Sequence, residues 1–526
     1  MVFRTFAASL ALLVGLAVVG SLAGPQWHPV PVRDHIVPTR VDTTIESNDP
    51  VSLADAGQVG DHEVRSTVVP VDLGDTTVEG LLRRPVDEDG TLLQDRPGVV
   101  FVHGAGTGRA QEAFVRTARM LASAGIVTLV PDKRLDTYST RERDYEAMAE
   151  DYLRSVDLLR TVEGVDPARV GAYGESEGTW IVPVMQVDDP TLAFTVLVSA
   201  PVVPPREQAA FAVDNYLRNT GVPGQVFRAI PRAVGMQLPG GGFDYADFDV
   251  RPWLEQQTAP ILVVYGTADP SMPIEQGVRL ILADTGVGTD APVTVRYYAG
   301  ADHGIRLRGE QSTDGAGSPL HPDFPRDLAA WIQGLPGTAD AAPRVAGDSP
   351  EQLYLAAPVP RPQWWGNGDV VVAVVVAGTG LVVLALVAWG VAALAHRLLH
   401  RPAPHGGRFA PGVGPPLVVL GVVSVATVVG LALYLAAVAR LAVDYERDAL
   451  VVQGGWITVR VLGVVAAVAA AVLLRRVGDV RVHRRADRDV AVAHGAVAHV
   501  TLWAVVLGSA LLLVTAAYWG VYQLGI

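Results

Sequence analysis

No cysteine occurs in the 526 residues, which excludes disulfides, thiolate metal sites, cysteine nucleophiles and Cys-linked lipid anchors. Charge is scarce too. Asp, Glu, Lys and Arg make up 18% of the chain, against about 25% in an ordinary soluble domain. Lysine is nearly missing: Lys133 stands alone among 41 basic residues. Residues 1–368 hold 47 acidic and 29 basic side chains, and residues 369–526 hold 7 and 12. An acidic front half excludes a nucleic-acid partner, because phosphate neutralisation needs clustered Lys and Arg. No HExxH and no carboxylate-paired histidine spacing occurs, so neither a metal nor another cofactor is expected. His396, His400, His405, His483, His494 and His499 read as solvated loop histidines. No internal repeat appears, so no propeller is expected.

The hydrophobic residues make up half the chain and divide it into an export segment, a globular domain and a membrane domain. Arg4 precedes an apolar run over residues 6–19, followed by the small residues Ser21 and Ala23 at the spacing of a cleavage site. Residues 1–23 therefore read as a signal peptide or an N-terminal anchor, and both place the succeeding globular domain outside the cytoplasm. Residues 24–62 are a polar, Pro-rich lead-in, and residues 334–368 a Pro/Ala-rich linker. After residue 369 come four apolar segments, at about 370–395, 417–439, 457–474 and 496–518, each near the roughly 20 residues that span a bilayer as a helix. The first loop between them carries Arg397, Arg401 and Arg408. The third carries Arg475, Arg476, Arg481, Arg484, Arg485 and Arg488, and the second only Arg440 and Arg447. The positive-inside rule then puts loops one and three in the cytoplasm. The expected location is the cell membrane, multi-pass, with the globular domain extracytoplasmic. The bilayer is the expected partner, and the four helices offer a surface for self-association or a membrane partner. Arg460, one turn inside a span, is expected to snorkel outward, and Trp364 and Trp365 fit an interfacial belt.

Between residues 63 and 333 short apolar runs at 99–103, 127–130, 170–173, 194–199, 261–265 and 293–298 read as buried strands. Helical stretches at 112–123 and 145–162 lie between them. This alternation predicts an α/β fold, a mostly parallel sheet with helices on both faces. Residues 202–258 break the rhythm and read as a lid.

The chemistry concentrates in this domain. Gly174-Glu175-Ser176-Glu177-Gly178 is a G-x-S-x-G between a strand and a helix, where a sharp turn lifts a serine hydroxyl above the sheet. His103-Gly104-Ala105-Gly106 follows another strand and supplies a backbone N–H for an oxyanion hole. Ala105 and Glu177 are the two expected donors. Asp269 lies just past the strand at 261–265, and His303 sits in Gly300-Ala-Asp-His-Gly304. Serine needs a base, and an imidazole needs an orienting carboxylate. The order Ser176, Asp269, His303 supplies both, with Asp302 a rival for the acid. Glu175 and Glu177 flank the serine, and two carboxylates there would raise the pKa of His303. Alternatively, Glu177 complements a helix dipole. Lys133-Arg134 reads as a structural salt bridge or, alternatively, as a pair for acids near the site mouth.

These motifs, with Asp132-Lys133-Arg134 and Gly266-Thr-Ala-Asp-Pro270, resemble the α/β-hydrolase superfamily over residues 63–333. The nearest groups are bacterial serine esterases and thioesterases of dienelactone-hydrolase-like and acyl-CoA-thioesterase/bile-acid-acyltransferase-like type, with prolyl-oligopeptidase-type peptidases further off. The resemblance implies an eight-stranded sheet and acyl transfer to water on a small ester or thioester. The alternatives are a serine peptidase on the same fold, or a catalytically silent domain on a four-helix membrane subunit.

Overall fold

The computed structural model describes residues 2–49, 53, 56–222, 224, 226–236, 242–288, 290–307, 309, 317–398, 409–444, 446–486 and 491–523. Arg401, Arg408, His400, His405 and Arg488 lie outside the described residues. The chain forms two compact units, Pro29–Asn215 with Phe243–Pro358, and Met1–His28 with Tyr216–Gly242 and Val359–Ile526.

The first unit holds one sheet of nine strands. These are β1 (Glu63–Asp72), β2 (Thr77–Val86), β3 (Arg96–Val102), β4 (Val127–Pro131), β5 (Val165–Glu175), β6 (Thr195–Val198), β7 (Ile261–Gly266), β8 (Val293–Tyr298) and β9 (Val345–Gly347). Their order is β1-β2-β4-β3-β5-β6-β7-β8-β9. β1 pairs antiparallel with β2, and β2 antiparallel with β4; every later pairing is parallel. β4, β6, β7 and β8 are buried from end to end, as continuous Val/Leu/Ile-rich runs covered on both faces must be. The sheet has one strand more than the expected eight, because β9 comes from the stretch read as linker.

Helices cover both faces. α1 (Val2–Ala23) belongs to the second unit. In the first, α2 (Val115–Ser123), α3 (Tyr145–Arg160), α4 (Gly178–Asp188), α5 (Pro205–Asn219), α6 (Ala229–Val234), α7 (Arg251–Leu254), α8 (Ile274–Gly288) and α9 (Asp323–Gln333) follow in chain order, except that α6 and the end of α5 fall in the second unit. α3 shows how the sequence sets an element. Asp144 accepts from the N–H groups of Glu146 and Ala147 at its start, and Arg160 closes its last turn, both favourable to the dipole. Met148, Ala149, Tyr152, Val156 and Leu159 form its buried stripe, at the 3–4 residue spacing of one helix face.

Residues 29–62 and 334–358 belong to the globular unit. The lead-in is held rather than loose: Val32 N–H donates to Leu353 O at 3.0 Å, Leu355 N–H to Val30 O at 2.8 Å and Thr39 N–H to Val345 O at 3.1 Å. The globular unit is made of residues 29–215 and 243–358. The stretch expected as a lid is split, with residues 216–242 counted in the other unit. A pattern of Pro, Gly and aromatics marks a break in strand–helix rhythm but not what the break packs against.

The second unit holds α10 (Gly368–Leu398), α11 (Gly414–Asp444), α12 (Gly455–Ala486) and α13 (Gly495–Tyr518). With α1 they make five described helices long and apolar enough to cross a membrane, so the protein is membrane-associated. α1 packs into this set against α12 and α13. Gln523 clasps it from two sides, accepting from Ser21 Oγ at 3.0 Å and donating to Ala17 O at 3.0 Å. Gly20 allows the approach, since a Cβ there would stand 2.1 Å from Ala517 O.

Candidate active site

The sequence candidates meet at the C-terminal ends of β5, β7 and β8, the edge where an open α/β sheet places its ligands. Ser176 follows β5 at once, with φ of 57°, a conformation uncommon for a residue with a side chain. The turn is imposed by its surroundings. Ser176 N–H donates to Val198 O at 2.9 Å, and Thr179 Oγ1 returns to Ser176 O at 2.6 Å. Gly178 lies so close to β3 that a Cβ would come within 2.4 Å of Val102 O. The His103–Gly106 turn stands over this elbow. A Cβ on Gly104 would be 3.4 Å from Ser176 Cβ and 4.0 Å from its Oγ. Among the described residues, the N–H groups of Ala105 and Glu177 have no acceptor.

Asp269 sits three residues beyond β7 with its side chain fully buried, and its Oδ2 is 2.8 Å from His303 Nδ1. Its other oxygen accepts from Ser271 N–H at 2.9 Å and Ser271 Oγ at 2.7 Å. The His303 loop is fixed from beneath, because Ser199 Oγ donates to His303 O at 2.8 Å. Asp302 is engaged elsewhere: its Oδ1 accepts from the N–H groups of Gly304 and Arg306 at 3.0 and 3.1 Å. A serine on a strained turn, an imidazole bonded to a buried acid, and two open N–H groups make an arrangement suited to acyl transfer.

Residues 112–314 match the family model of the prolyl oligopeptidase family. Strand order, elbow and match agree. The globular unit has the α/β-hydrolase fold. Among solved structures it is similar to a hyperthermophilic esterase from the archaeon Pyrobaculum calidifontis, with 18% identity over 54% of this chain and 86% of that one and a TM-score of 0.36. It is also similar to a dienelactone hydrolase from Anabaena variabilis, with 17% identity over 52% and 96% and a TM-score of 0.33. No curated protein matches the chain.

The electrostatics of this site divide the two glutamates of the elbow. Burial pushes the His303 imidazole pKa down, but Asp269 beside it, then Glu175 and Asp302, carry it up to about 9. Burial raises the Asp269 carboxyl, and His303 and Ser271 outweigh that and hold it below its ordinary value. Burial raises Glu175, against the pull of His303 and Arg306, so Glu175 faces the histidine as expected of an elbow carboxylate. Glu177 does not. Its side chain is buried in a cage of donors, with Lys133 Nζ at 2.9 Å, Tyr138 Oη at 3.0 Å and the Arg143 guanidinium in contact. It caps no N–H of α4, so its role is ion pairing rather than helix-dipole complement.

Lys133 joins the two halves of the site. Its ammonium donates to Gly104 O at 2.7 Å as well as to Glu177, with both side chains of the pair 1% exposed. Arg134 instead forms an outward fork on Asp75, at 2.8 Å through each nitrogen. His103 is wholly buried, with Nε2 2.6 Å from Pro131 O, and burial pushes its pKa down to about 4. It is a neutral brace. Sequence reasoning did not find Ser199, Ser271, Tyr138 or Arg143. Ser271 had a signal, being two residues past an acid where an Asx-type turn is common. The loop carrying Tyr138 and Arg143 has no motif.

Proposed function

We propose that the chain is a membrane-tethered serine hydrolase, its globular unit outside the cytoplasm, cleaving carboxylic esters or thioesters through an acyl-enzyme. Ser176 Oγ attacks the carbonyl carbon as His303 Nε2 takes its proton, and the N–H groups of Ala105 and Glu177 hold the oxyanion. Collapse expels the alcohol or thiol, which leaves with the proton from His303. Water then repeats the attack on the acyl-enzyme and frees the acid. Asp269 fixes the tautomer and stabilises the charged imidazole. The observation that carries this reading is the 2.8 Å bond from His303 to a fully buried acid. A fluorophosphonate probe should label the protein, with labelling lost in Ser176→Ala; a folded protein that never labels overturns the reading. The prolyl oligopeptidase match favours a second reading, peptide cleavage by the same residues, and a panel of esters, thioesters and peptides decides between them.

The arginine asymmetry of the loops supports an extracytoplasmic globular unit. The clasp of Gln523 on Ala17 and Ser21 supports retention of α1 as an anchor. Topology reporters at 405 and 485 should read cytoplasmic and those at 300 and 450 external, on a protein that keeps its first 23 residues. A cytoplasmic reading at 300 would reverse the assignment.

A further inference from the structure

In the membrane unit, the third apolar segment ends at residue 474 in the sequence, but α12 runs on to Ala486. Its last turns and the first turns of α13 wall a cavity of about 440 Å³, within the roughly 300–1,000 Å³ range of small-molecule sites. Leu473, Val477 and Arg481 line it from α12, and His499, Trp503 and Val506 from α13. Spacings of three or four residues put each set on one face of its helix. Both faces are graded in the same sense. The rise from Leu473 to Arg481 is about 12 Å, and that from Val506 to His499 about 10 Å. The two helices follow each other in the chain, so their basic ends lie together beside the connection and their apolar ends lie together away from it.

The basic end is held in place. Ala410 N–H donates to Val492 O at 3.0 Å and Phe409 bridges to Ala493, so the stretch leading into α13 is pinned to the start of α11. His499 Nδ1 lies 3.0 Å from Gly495 O. A carbonyl only accepts, so Nδ1 carries its hydrogen there and Nε2 is the atom left for a ligand, a donor in the imidazolium form. Arg481 and His499 are both exposed, and among the described residues no carboxylate pairs with either. Asp479, two residues from both Val477 and Arg481, points to the other side of α12, 3.9 Å from Arg475. Among the described residues no acid lines the cavity. A guanidinium and an imidazole at one end, aliphatic side chains at the other and no carboxylate between them fit an anion joined to hydrocarbon. A zwitterionic headgroup would bring an ammonium that nothing on these walls answers.

We propose that the cavity between α12 and α13 binds an anionic phospholipid, its phosphodiester on Arg481 and His499 and the start of an acyl chain on Leu473, Val477 and Val506. The guanidinium presents paired N–H donors to two phosphate oxygens. Trp503, with an apolar body and a polar N–H, sits at the level where headgroup meets chain. Basic pockets between membrane helices are where such headgroups are held. Inorganic phosphate would use only the basic end. The site lies wholly within the membrane unit and is independent of the chemistry at Ser176.

The test uses the full chain in phosphatidylcholine nanodiscs doped with a phosphatidylglycerol that carries a diazirine on its acyl chain. Illumination should crosslink this lipid saturably to peptides covering 473–481 and 499–506. Unlabelled phosphatidylglycerol should compete, whereas added phosphatidylcholine and millimolar inorganic phosphate should not. Arg481→Gln should raise the half-saturating lipid fraction about fivefold, the contribution of one basic group near a membrane surface, and Arg481→Gln/His499→Gln should raise it further. Val477→Trp, which fills the apolar end, should lower crosslinking at both peptides. Arg440→Gln, at an exposed arginine of α11 outside the cavity, should change nothing. Equal competition by phosphatidylcholine, displacement by inorganic phosphate, crosslinks spread over the other helices, or an unchanged half-saturation in the double variant overturns the proposal. Competition is read on the wild type, so it decides the matter even where a variant fails to fold.

Discussion

Replacing Lys133 by Met separates what the buried charge does for stability from what it does for chemistry. The ammonium sits 2.7 Å from Gly104 O and 2.9 Å from Glu177 Oε2, and the pair is 1% exposed on each side. Removing one partner of a buried pair typically costs about 3–5 kcal/mol. Arg143 stays on Glu177, so the remaining carboxylate keeps one cation and the lower figure, about 3 kcal/mol, applies. At about 2–4 °C per kcal/mol for a large domain, the melting temperature should fall by about 6–12 °C. The chemical effect is distinct. Gly104 O is the acceptor through which Lys133 holds the turn bearing Ala105. Losing an oxyanion donor outright costs about 10²–10³ in turnover. A donor that is loosened instead should cost about 10- to 100-fold. The double variant Lys133→Met/Glu177→Gln removes the unmatched charge and should regain most of the stability, because replacing both partners is often near neutral. It should not regain turnover, since Gly104 O still lacks its tether. Thermal unfolding and ester turnover on the same preparations give both quantities. Wild-type melting and turnover in Lys133→Met, or recovery of turnover in the double variant, would refute the reasoning.

Two further outcomes test the acid and the base. Asp269→Asn should lower turnover by about 10⁴ by presenting the wrong imidazole tautomer, whereas Asp302→Asn, whose carboxylate serves the Gly304 and Arg306 N–H groups, should change the plateau rate little. The reverse ranking would transfer the acid role to Asp302. The pH profile follows from an imidazole held near 9. Only its neutral form accepts the serine proton, so kcat/KM should rise with pH through a midpoint near 9 and level off above it, and Glu175→Gln should move that midpoint down. The same shift stabilises the fold fully below the unfolded histidine value near 6.5 and loses its contribution as pH climbs through 9. A midpoint near 6.5 in the wild type would contradict it.

Much of the sheet was legible because its strands are continuous apolar runs closed by Gly or Asp, as in 261–265 followed by Gly266. The elbow was legible because a strained serine needs small neighbours at fixed offsets. β9 was not, since three residues, Val345–Gly347, carry no periodicity and pair only because the lead-in and β8 are already in place. The partnership of Lys133 with Glu177 was half visible. The sequence offered the acids and bases, but which carboxylate turns inward and which toward His303 depends on the handedness of the elbow. The ownership of residues 216–242 was invisible, because helix periodicity reports that a face is buried and not against what.

The strip of hydrogen bonds between residues 30–39 and 345–355 brings the incoming and outgoing chain together at one edge of the sheet. Topologically this edge is a closed neck, and the globular unit is two stretches of chain, 29–215 and 243–358, set between α1 and α10 rather than a bead on a string. Tension on either tether is borne by the zip before it reaches the sheet. A protease that cut one of these two tethers would leave the unit held by the other and by the crossings at 215/216 and 242/243, with its edge strand still covered. The neck also marks where the unit could be grafted between two other membrane helices, because a guest whose ends lie side by side perturbs its host least.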